Sequence, residues 1–364
     1  MKIDTKKRTF AWAFGWVVAG GLCACCTGGR ALDAEGFPEA ETLVADSVAI
    51  DEVLQPQSFI VSADYAVLFS PKTSKVLWRY RLPDWTLADS SFVQGGGPDD
   101  FGSYVSFLET SETSEPVFWL TDVLHRCAVR FDQSAGALVK TAHKAYPMSS
   151  TALVLGDTLV AYPYSRQDAL STFYLAAMRD TLAVLDSVPG YSTMKMDIQQ
   201  EGGKIQSISV RVYNTVQTAV CGDRIALWYP GTRHLQVYRV ADGNRLELVG
   251  QYGDGPLDQA AVDAYLAQAG TVYSEDNVSL RAVDEKYLYF LEKTRKKEED
   301  SSRPGAAPTV ERLDIKVYDW TMTPVRKYRL DHPQASAGII DVARNKVYAY
   351  DPRLDFEQVY VYSL

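Results

Sequence analysis

The chain has 364 residues, of which 46% are hydrophobic and 23% are charged, and this balance excludes a disordered chain and a polytopic membrane protein. The formal net charge of -9 argues against nucleic acid as a partner, because a negative field repels a polyanion. Aromatic residues make up 12% of the chain and favour β-structure, because Tyr and Trp suit half-buried strands.

A basic segment and a short apolar run open the chain. Residues 1–9 carry four basic side chains, and the apolar run FAWAFGWVVAGGL follows over residues 10–22. As a helix this run would rise about 20 Å, which is too short to cross a hydrocarbon core comfortably. The pattern predicts a secretory signal peptide over residues 1–24.

The signal peptide ends in LCACC, residues 22–26. A lipoprotein signal resembles Leu-x-(Ala/Gly)-Cys, in which the Cys becomes the lipidated first residue of the mature chain. Cys25 fits this pattern best, because Ala24 precedes it and Leu22 lies three residues before it. Cys26 would be preceded by Cys25, and Cys23 would be preceded by the bulky Leu22. An ordinary cleaved signal with incidental cysteines is the alternative.

We therefore predict that Cys25 is lipidated and that the lipid anchors the protein in a bacterial cell envelope, with the outer membrane as the expected membrane. Residues 25–40 are expected to form a loose tether between the lipid and the folded domain.

Residues 41–364 repeat one unit, in which apolar strands are separated by turns rich in Asp, Asn and Gly. These residues tolerate the positive φ that tight hairpins need, so we predict it in the turns before the second strands. The starts of the second strands lie about 56 residues apart on average. A third strand follows each second strand, and a weaker fourth strand often follows that. Polar insertions, such as residues 108–116, read as loops between strands. The predicted second strands are YAVLFS from Tyr65, VFWLTD from Val117, TLVAYPY from Thr158, RIALWYP from Arg224, YLYFLEK from Tyr287 and KVYAYDP from Lys346.

Six four-stranded units at this spacing predict an all-β fold, a six-bladed β-propeller over residues 41–364. The sixth unit stops at Leu364, after its third strand, and an unassigned strand lies within residues 41–51. We expect this N-terminal strand to pair with residues 358–364 and to close the ring, which removes two open edges. A pair of β-sandwiches is the alternative, because sandwiches also have short, evenly spaced strands.

A glycine-rich motif, G-x-G-P-x-D, occurs twice, 158 residues or about three units apart. In a six-fold ring this spacing places the two copies opposite each other. Glycine permits positive φ and a close backbone approach, and proline sets the direction of exit. Each copy is either an inter-blade turn or a binding loop at the mouth of the channel. The candidate binding-loop residues are Gly95, Gly97, Pro98, Asp100, Gly253, Gly255, Pro256 and Asp258.

With this motif the chain resembles the TolB-like six-bladed propeller lipoproteins of Bacteroides-type bacteria. Those proteins combine a lipoprotein signal with blades of this length and commonly carry G-x-G-P-x-E after a blade. Here Asp100 and Asp258 stand where the usual Glu would be. The resemblance covers residues 43–364 and implies the fold and a cell-envelope address, but no reaction.

Sequence motifs for catalysis are missing. There is no G-x-S-x-G elbow, no H-E-x-x-H site, no P-loop and no sialidase Asp-box, so we predict no catalytic residue, metal or cofactor. Calcium-dependent six-bladed hydrolases scatter their acids round the channel, and Asp122, Asp341 and Asp351 are candidates for such a role. Carboxylates at strand ends more often cap turns, and that is the expectation for these three.

The predicted function is therefore non-catalytic binding of a protein, peptide or glycan by a monomeric, lipid-anchored propeller. The alternative is a metal-dependent, calcium-type hydrolase or lyase with its site at the channel. Cys127 and Cys221 lie about two units apart, so we expect two buried free thiols. His125 and His234 occupy matching places before third strands and are expected to be structural.

Overall fold

Strands make up all the secondary-structure elements that this computed structural model describes. The described residues contain no helix that could cross a membrane. The described residues belong to one compact unit, Leu32–Leu364. They are 32–53, 56–97, 100–102, 104–111, 116–122, 125–134, 136–147, 152–156, 158–164, 170–192, 194–199, 205–210, 216–230, 233–253, 278–295, 310–332, 337–350 and 358–364.

The described chain begins with two short strands, β1 (Glu41–Leu43) and β2 (Asp46–Ala49). Antiparallel units of four consecutive strands follow. Unit β3–β6 comprises Ser58–Ser62, Tyr65–Phe69, Leu77–Arg81 and Thr86–Ser91. Unit β7–β10 comprises Val105–Thr110, Val117–Asp122, Cys127–Asp132 and Val139–Ala145. Unit β11–β14 comprises Leu153–Leu155, Leu159–Tyr164, Leu170–Met178 and Leu182–Ser192.

A separate hairpin of β15 (Met194–Gln199) and β16 (Ile205–Val210) precedes the remaining units. Unit β17–β20 comprises Gln217–Cys221, Arg224–Tyr229, His234–Ala241 and Arg245–Gly253. Unit β21–β24 comprises Val278–Val283, Tyr287–Arg295, Val310–Asp319 and Pro324–Leu330. The last three strands, β25 to β27, are Ala337–Asp341, Lys346–Tyr350 and Gln358–Ser363.

The predicted second strands are confirmed as β4, β8, β12, β18, β22 and β26. Four of the turns before them have the predicted positive φ, at Ala63 (47°), Gly156 (61°), Gly222 (58°) and Asn345 (52°), whereas the described turn at Asp284 and Glu285 has none. Tight hairpins need such a residue because their twist must match that of the strands.

The fourth strands share an irregularity that the sequence did not reveal. In each of five units one extra residue of the fourth strand forms a β-bulge against the third strand. A bulge bends and twists an outer strand, so it discourages pairing with another chain. The extra residues are Ala88, Thr141, Leu185, Val249 and Val325.

The predicted N-terminal strand closes the last unit. β2 pairs antiparallel with β27, with Val48 opposite Val359, which confirms the predicted pairing of the two chain ends. The segment is divided, however, because β1 pairs in parallel with β24 of the preceding unit. Asp331 supports the break by accepting hydrogen bonds from the Ala45 amide at 3.3 Å.

Residues 32–40, here called the N-terminal strap, do not form the loose tether that the sequence predicted. Asp33 organises a turn by accepting hydrogen bonds from the Glu35 and Phe37 amides, each at 2.9 Å. Phe37 is fully buried, and its ring packs edge-on against Tyr318 at 4.9 Å. The tether prediction is therefore wrong for the strap, and residues 25–31 lie outside the described residues.

Consecutive units pack face to face through separate hydrophobic clusters. The second strands are buried on both faces, as in β8, where all six residues are buried. A strand of a two-layer sandwich would alternate buried and exposed residues. The first strands, which we call the inner strands, contact those of neighbouring units, and β7 even pairs in parallel with β11. The arrangement is therefore all-β and propeller-like.

Candidate functional site

The first glycine-rich turn closes on its own acid. The Gly97 amide donates to Asp100 Oδ2 at 2.8 Å, and the Gly95 amide donates to the Phe101 carbonyl at 3.0 Å. A Cβ on either glycine would collide with the Asp100 carboxylate. The turn thereby fixes Phe101, which is buried among other rings. Pro98 lies outside the described residues.

The second glycine-rich turn has a different setting. Gly253 ends β20 with a φ of 90°, and a Cβ there would collide with the Arg233 carbonyl. This close approach requires glycine, and Gly253 borders a cavity between units β17–β20 and β21–β24. Gly255, Pro256 and Asp258 lie outside the described residues. The predicted opposition of the two motifs therefore stays a prediction.

Two of the candidate acids serve local structure. Asp122 accepts hydrogen bonds from the Gly102 amide at 2.9 Å and from the His125 ring at 2.7 Å. Burial raises the pKa of Asp122, but these hydrogen bonds outweigh it and lower the pKa overall. Asp341 pairs with Arg344 Nη1 at 2.9 Å. Asp351 lies outside the described residues.

The histidines and cysteines occupy ordinary environments. His125 is held by Asp122, as its expected structural role requires, and His234 is buried. Burial lowers the pKa of His234. Cys127 and Cys221 are free thiols, as predicted. Only Cys127 is buried, because Cys221 lies beside the turn that ends β17. Among the described residues no cluster of His, Cys, Asp and Glu could hold a metal ion.

An unpaired acid lies on an inner strand instead. Glu109 is on β7, and its side chain is exposed although much of the protein lies around it. Arg281 is on β21, as the extra residue of a β-bulge between Leu280 and Ala282. Such bulges re-aim a side chain and are common beside functional sites.

The charges of Glu109 and Arg281 influence each other although β7 and β21 belong to units that do not follow each other along the chain. Arg281 donates through Nε to Ser279 Oγ at 3.0 Å. Within the described part of the chain, its terminal nitrogens and the Glu109 carboxylate form no hydrogen bond.

The environment of Glu109 disfavours its charge. Restricted hydration raises the pKa of Glu109 to about 8, and the positive charge of Arg281 opposes this rise. At pH 7 the side chain is therefore mostly a neutral carboxylic acid, which can donate as well as accept a hydrogen bond. An acid with a strongly shifted pKa and a specific charge partner marks a candidate functional site.

Glu109 was missed because residues 108–116 read as a polar loop, whereas β7 continues to Thr110. Counting back from each hairpin turn would have placed the inner strands. These strands contain three charged residues in the described structure, Glu109, Arg281 and Asp341. Asp341 has its own arginine, so the other two stand out.

No protein-family model and no curated protein matches the sequence. A DUF4221-family protein from Bacteroides vulgatus is 10% identical over 88% of this chain and 97% of its own, with a TM-score of 0.42. A luciferin-regenerating enzyme is 8% identical over 88% and 95%, with a TM-score of 0.43. TolB from Acinetobacter baumannii is 10% identical over 82% and 63%, with a TM-score of 0.35. The propeller-like assignment depends on the strand pairing and not on these similarities.

Proposed function

We propose that this protein is a lipid-anchored, six-bladed propeller of the cell envelope that binds a protein, peptide or glycan without catalysis. The ligand would present a carboxylate group to Glu109 and Arg281 in the channel. The observation that carries this proposal is an acid and a base on inner strands of different units whose charges influence each other, while the Glu109 carboxylate and the terminal nitrogens of Arg281 form no hydrogen bond to a described residue.

Two features support six blades, which is the blade number of the TolB-like lipoprotein group that we propose for this chain. The inner strands contact in the cyclic order β3, β7, β11, β17, β21, β25 and back to β3. A hydrophobic cluster lies between each consecutive pair of units, including the pair formed by the last unit and unit β3–β6. A closed cycle of this kind is what a propeller with joined chain ends requires.

The bound carboxylate would accept hydrogen bonds from both side chains. Arg281 offers terminal N–H groups, whose fork geometry suits a carboxylate. The neutral Glu109 would donate a hydrogen bond through its O–H group to the other oxygen of the ligand carboxylate. As the pH rises through about 8, Glu109 ionises and repels the ligand, so affinity must fall.

Calorimetry with the detergent-solubilised full chain tests this mode with matched probes. Acetyl-Gly-Gly is compared with its amide, and glucuronate with its methyl ester, so that the peptide and glycan sources of a carboxylate are distinguished. We expect one acid to bind at pH 6, to bind up to about tenfold more weakly at pH 9, and to bind better than its uncharged counterpart.

Glu109→Gln keeps a neutral donor and should abolish the pH dependence, whereas Arg281→Gln should abolish binding. The controls are Glu247→Gln and Arg239→Gln, because these residues form an acid–base pair at 3.0 Å on β19 and β20, away from the inner strands. Equal binding of each acid and its uncharged counterpart would refute the channel site.

The anchor has a separate test. Cys25→Ser should move the protein from the membrane to the soluble fraction, because the thioether linkage needs sulfur. Release by Cys26→Ser but not by Cys25→Ser would show that the cleavage site is misplaced. Retention of both variants would show that residues 10–22 anchor the chain themselves.

A further inference from the structure

The cavity beside Gly253 is a second concave site, away from Glu109. Its volume is about 180 Å³, which exceeds the ~150 Å³ of an engineered cavity that holds benzene. A single six-membered ring therefore fits. Three aromatic rings line it, and they contact each other edge-on, Trp228 with Phe290 at 4.8 Å and Phe290 with Tyr318 at 5.4 Å.

Charged groups lie next to these rings. Lys316 lines the cavity and is 3% exposed, and its Nζ lies 2.6 Å from Glu35 and 2.8 Å from Glu292. Arg233 also lines the cavity, with 58% of its side chain exposed, and its Nη1 lies 3.9 Å from Glu35 Oε1. Two cations and two carboxylates balance, so the cluster is neutral without a ligand.

Several of these polar groups have unused hydrogen-bonding capacity. Lys316 has three N–H donors and two carboxylate partners. The Arg233 guanidinium and the Tyr318 hydroxyl make no hydrogen bond to any described residue. Burial, followed by the negative charges of Glu35 and Glu292, raises the pKa of Tyr318, so its hydroxyl stays protonated and can both donate and accept.

We propose that this cavity binds one ring of a neutral sugar. A pyranose has an apolar C–H face, which suits the aromatic wall, and an edge of hydroxyls that donate and accept. Arg233 and Tyr318, which both line the cavity, supply a donor and a hydroxyl that donates and accepts, and these suit the hydroxyls of a sugar. Ligand pockets generally combine such an apolar wall with a few placed polar groups.

The charge balance separates this ligand class from its competitors. An anionic or cationic ring would leave the neutral cluster with an uncompensated charge in a partly buried site. A purely apolar ring would shield Tyr318 and Arg233 from water without bonding to them, which costs free energy. A neutral ring with hydroxyls avoids both costs.

Gly253 contributes to the same site through its missing side chain. Its backbone approaches the Arg233 carbonyl too closely for a Cβ. Arg233 itself has a φ of 49°, a conformation that is uncommon for a residue with a side chain. The glycine of the second motif therefore allows the backbone position from which Arg233 reaches the cavity.

Saturation-transfer NMR and calorimetry with the full-length chain test the proposal. The probes are the methyl glycosides of glucose, galactose, mannose and N-acetylglucosamine, with indole and benzoate as the apolar and anionic rings. We expect at least one glycoside to bind and neither indole nor benzoate to displace it.

Two variants examine the contacts without filling the cavity. Tyr318→Phe should weaken glycoside binding about three- to tenfold, the effect of one hydrogen bond, and Arg233→Met should weaken it at least tenfold. Arg245→Met, an exposed arginine of β20, is the matched control and should change nothing. Glu247→Gln, at an exposed acid of β20 outside both sites, should also leave glycoside binding unchanged.

The proposal is overturned if no glycoside binds, or if indole or benzoate binds and displaces the glycoside. It is equally overturned if a glycoside binds with the same affinity to Tyr318→Phe and Arg233→Met, provided that both variants melt at the wild-type temperature.

Discussion

Two regions of the molecule differ in how their charged side chains are paired. One is unit β21–β24 with the strap, and the other is the inner strands that carry Glu109 and Arg281. Asp314 is fully buried, and Arg312 and Arg329 lie 3.0 and 3.1 Å from its two oxygens. Glu109 has only the distant charge of Arg281 and no hydrogen bond among the described residues. Charges satisfied within the fold stabilise it, whereas a charge that the fold leaves unsatisfied is available to a ligand.

Removing the strap and β1, residues 32–43, should have the largest effect on stability, because it exposes buried apolar side chains and leaves a buried lysine with one partner fewer. Phe37 and Leu43 lose burial worth roughly 1.5–3 kcal/mol each, and Lys316 loses Glu35. We expect the free energy of unfolding to fall by about 4–6 kcal/mol in urea melts. Deletion of residues 26–31 is the control, and equal midpoints would show that the strap contributes nothing.

Asp314→Asn should come next. The change leaves two arginines beside a neutral buried amide, which costs about 2–4 kcal/mol, less than for a fully buried pair because the arginines reach solvent. Glu247→Gln breaks an exposed pair and should cost under about 0.5 kcal/mol. If both variants melt at the same urea concentration, burial is not what distinguishes the two pairs.

Asp100→Ala removes a carboxylate that accepts a hydrogen bond from its own turn. The Gly97 amide loses its acceptor, so the free energy of unfolding should fall by about 1 kcal/mol. Asp242→Ala, in an exposed turn without a described side-chain partner, is the control for chemical denaturation. An unchanged midpoint for Asp100→Ala would mean that water replaces the carboxylate fully.

Glu109→Gln should have the smallest effect, and its sign should depend on pH. Because the folded-state pKa is raised from 4.5 to about 8, the stability from the neutral form is complete below pH 4.5 and lost as pH rises through 8. The variant lacks this loss, so its melting temperature relative to wild type should rise by about 1–3 °C between pH 5 and pH 9. The rise is small because solvent screens the exposed side chain. A gap that is constant with pH would contradict the raised pKa.

Local pattern made most of the fold predictable. Short β-rich runs predicted strands such as β8 and β26, and small or polar turn residues predicted the positive φ at Gly222 and Asn345. Both signals act within a few residues, so they can be recognised without knowing what the chain packs against. The pairing of β2 with β27 was also predictable, because an incomplete last unit needs a further strand.

Long-range proximity was not predictable. The strap has no strand pattern and is held by Tyr318, Lys316 and Lys327, nearly three hundred residues along the chain. The turn at Asp100 has a motif in the sequence, but only the structure showed that the acid is used by its own glycine.

The strands, their hairpin turns and the partner of the N-terminal strand follow from short-range periodicity and from counting, so they can be recognised in the sequence. The fold alone sets the influence of Arg281 on Glu109, and it alone makes Arg233, Gly253 and Tyr318 border one cavity. Those groups are brought together by the packing of separate sheets, and no local pattern encodes which sheets will meet.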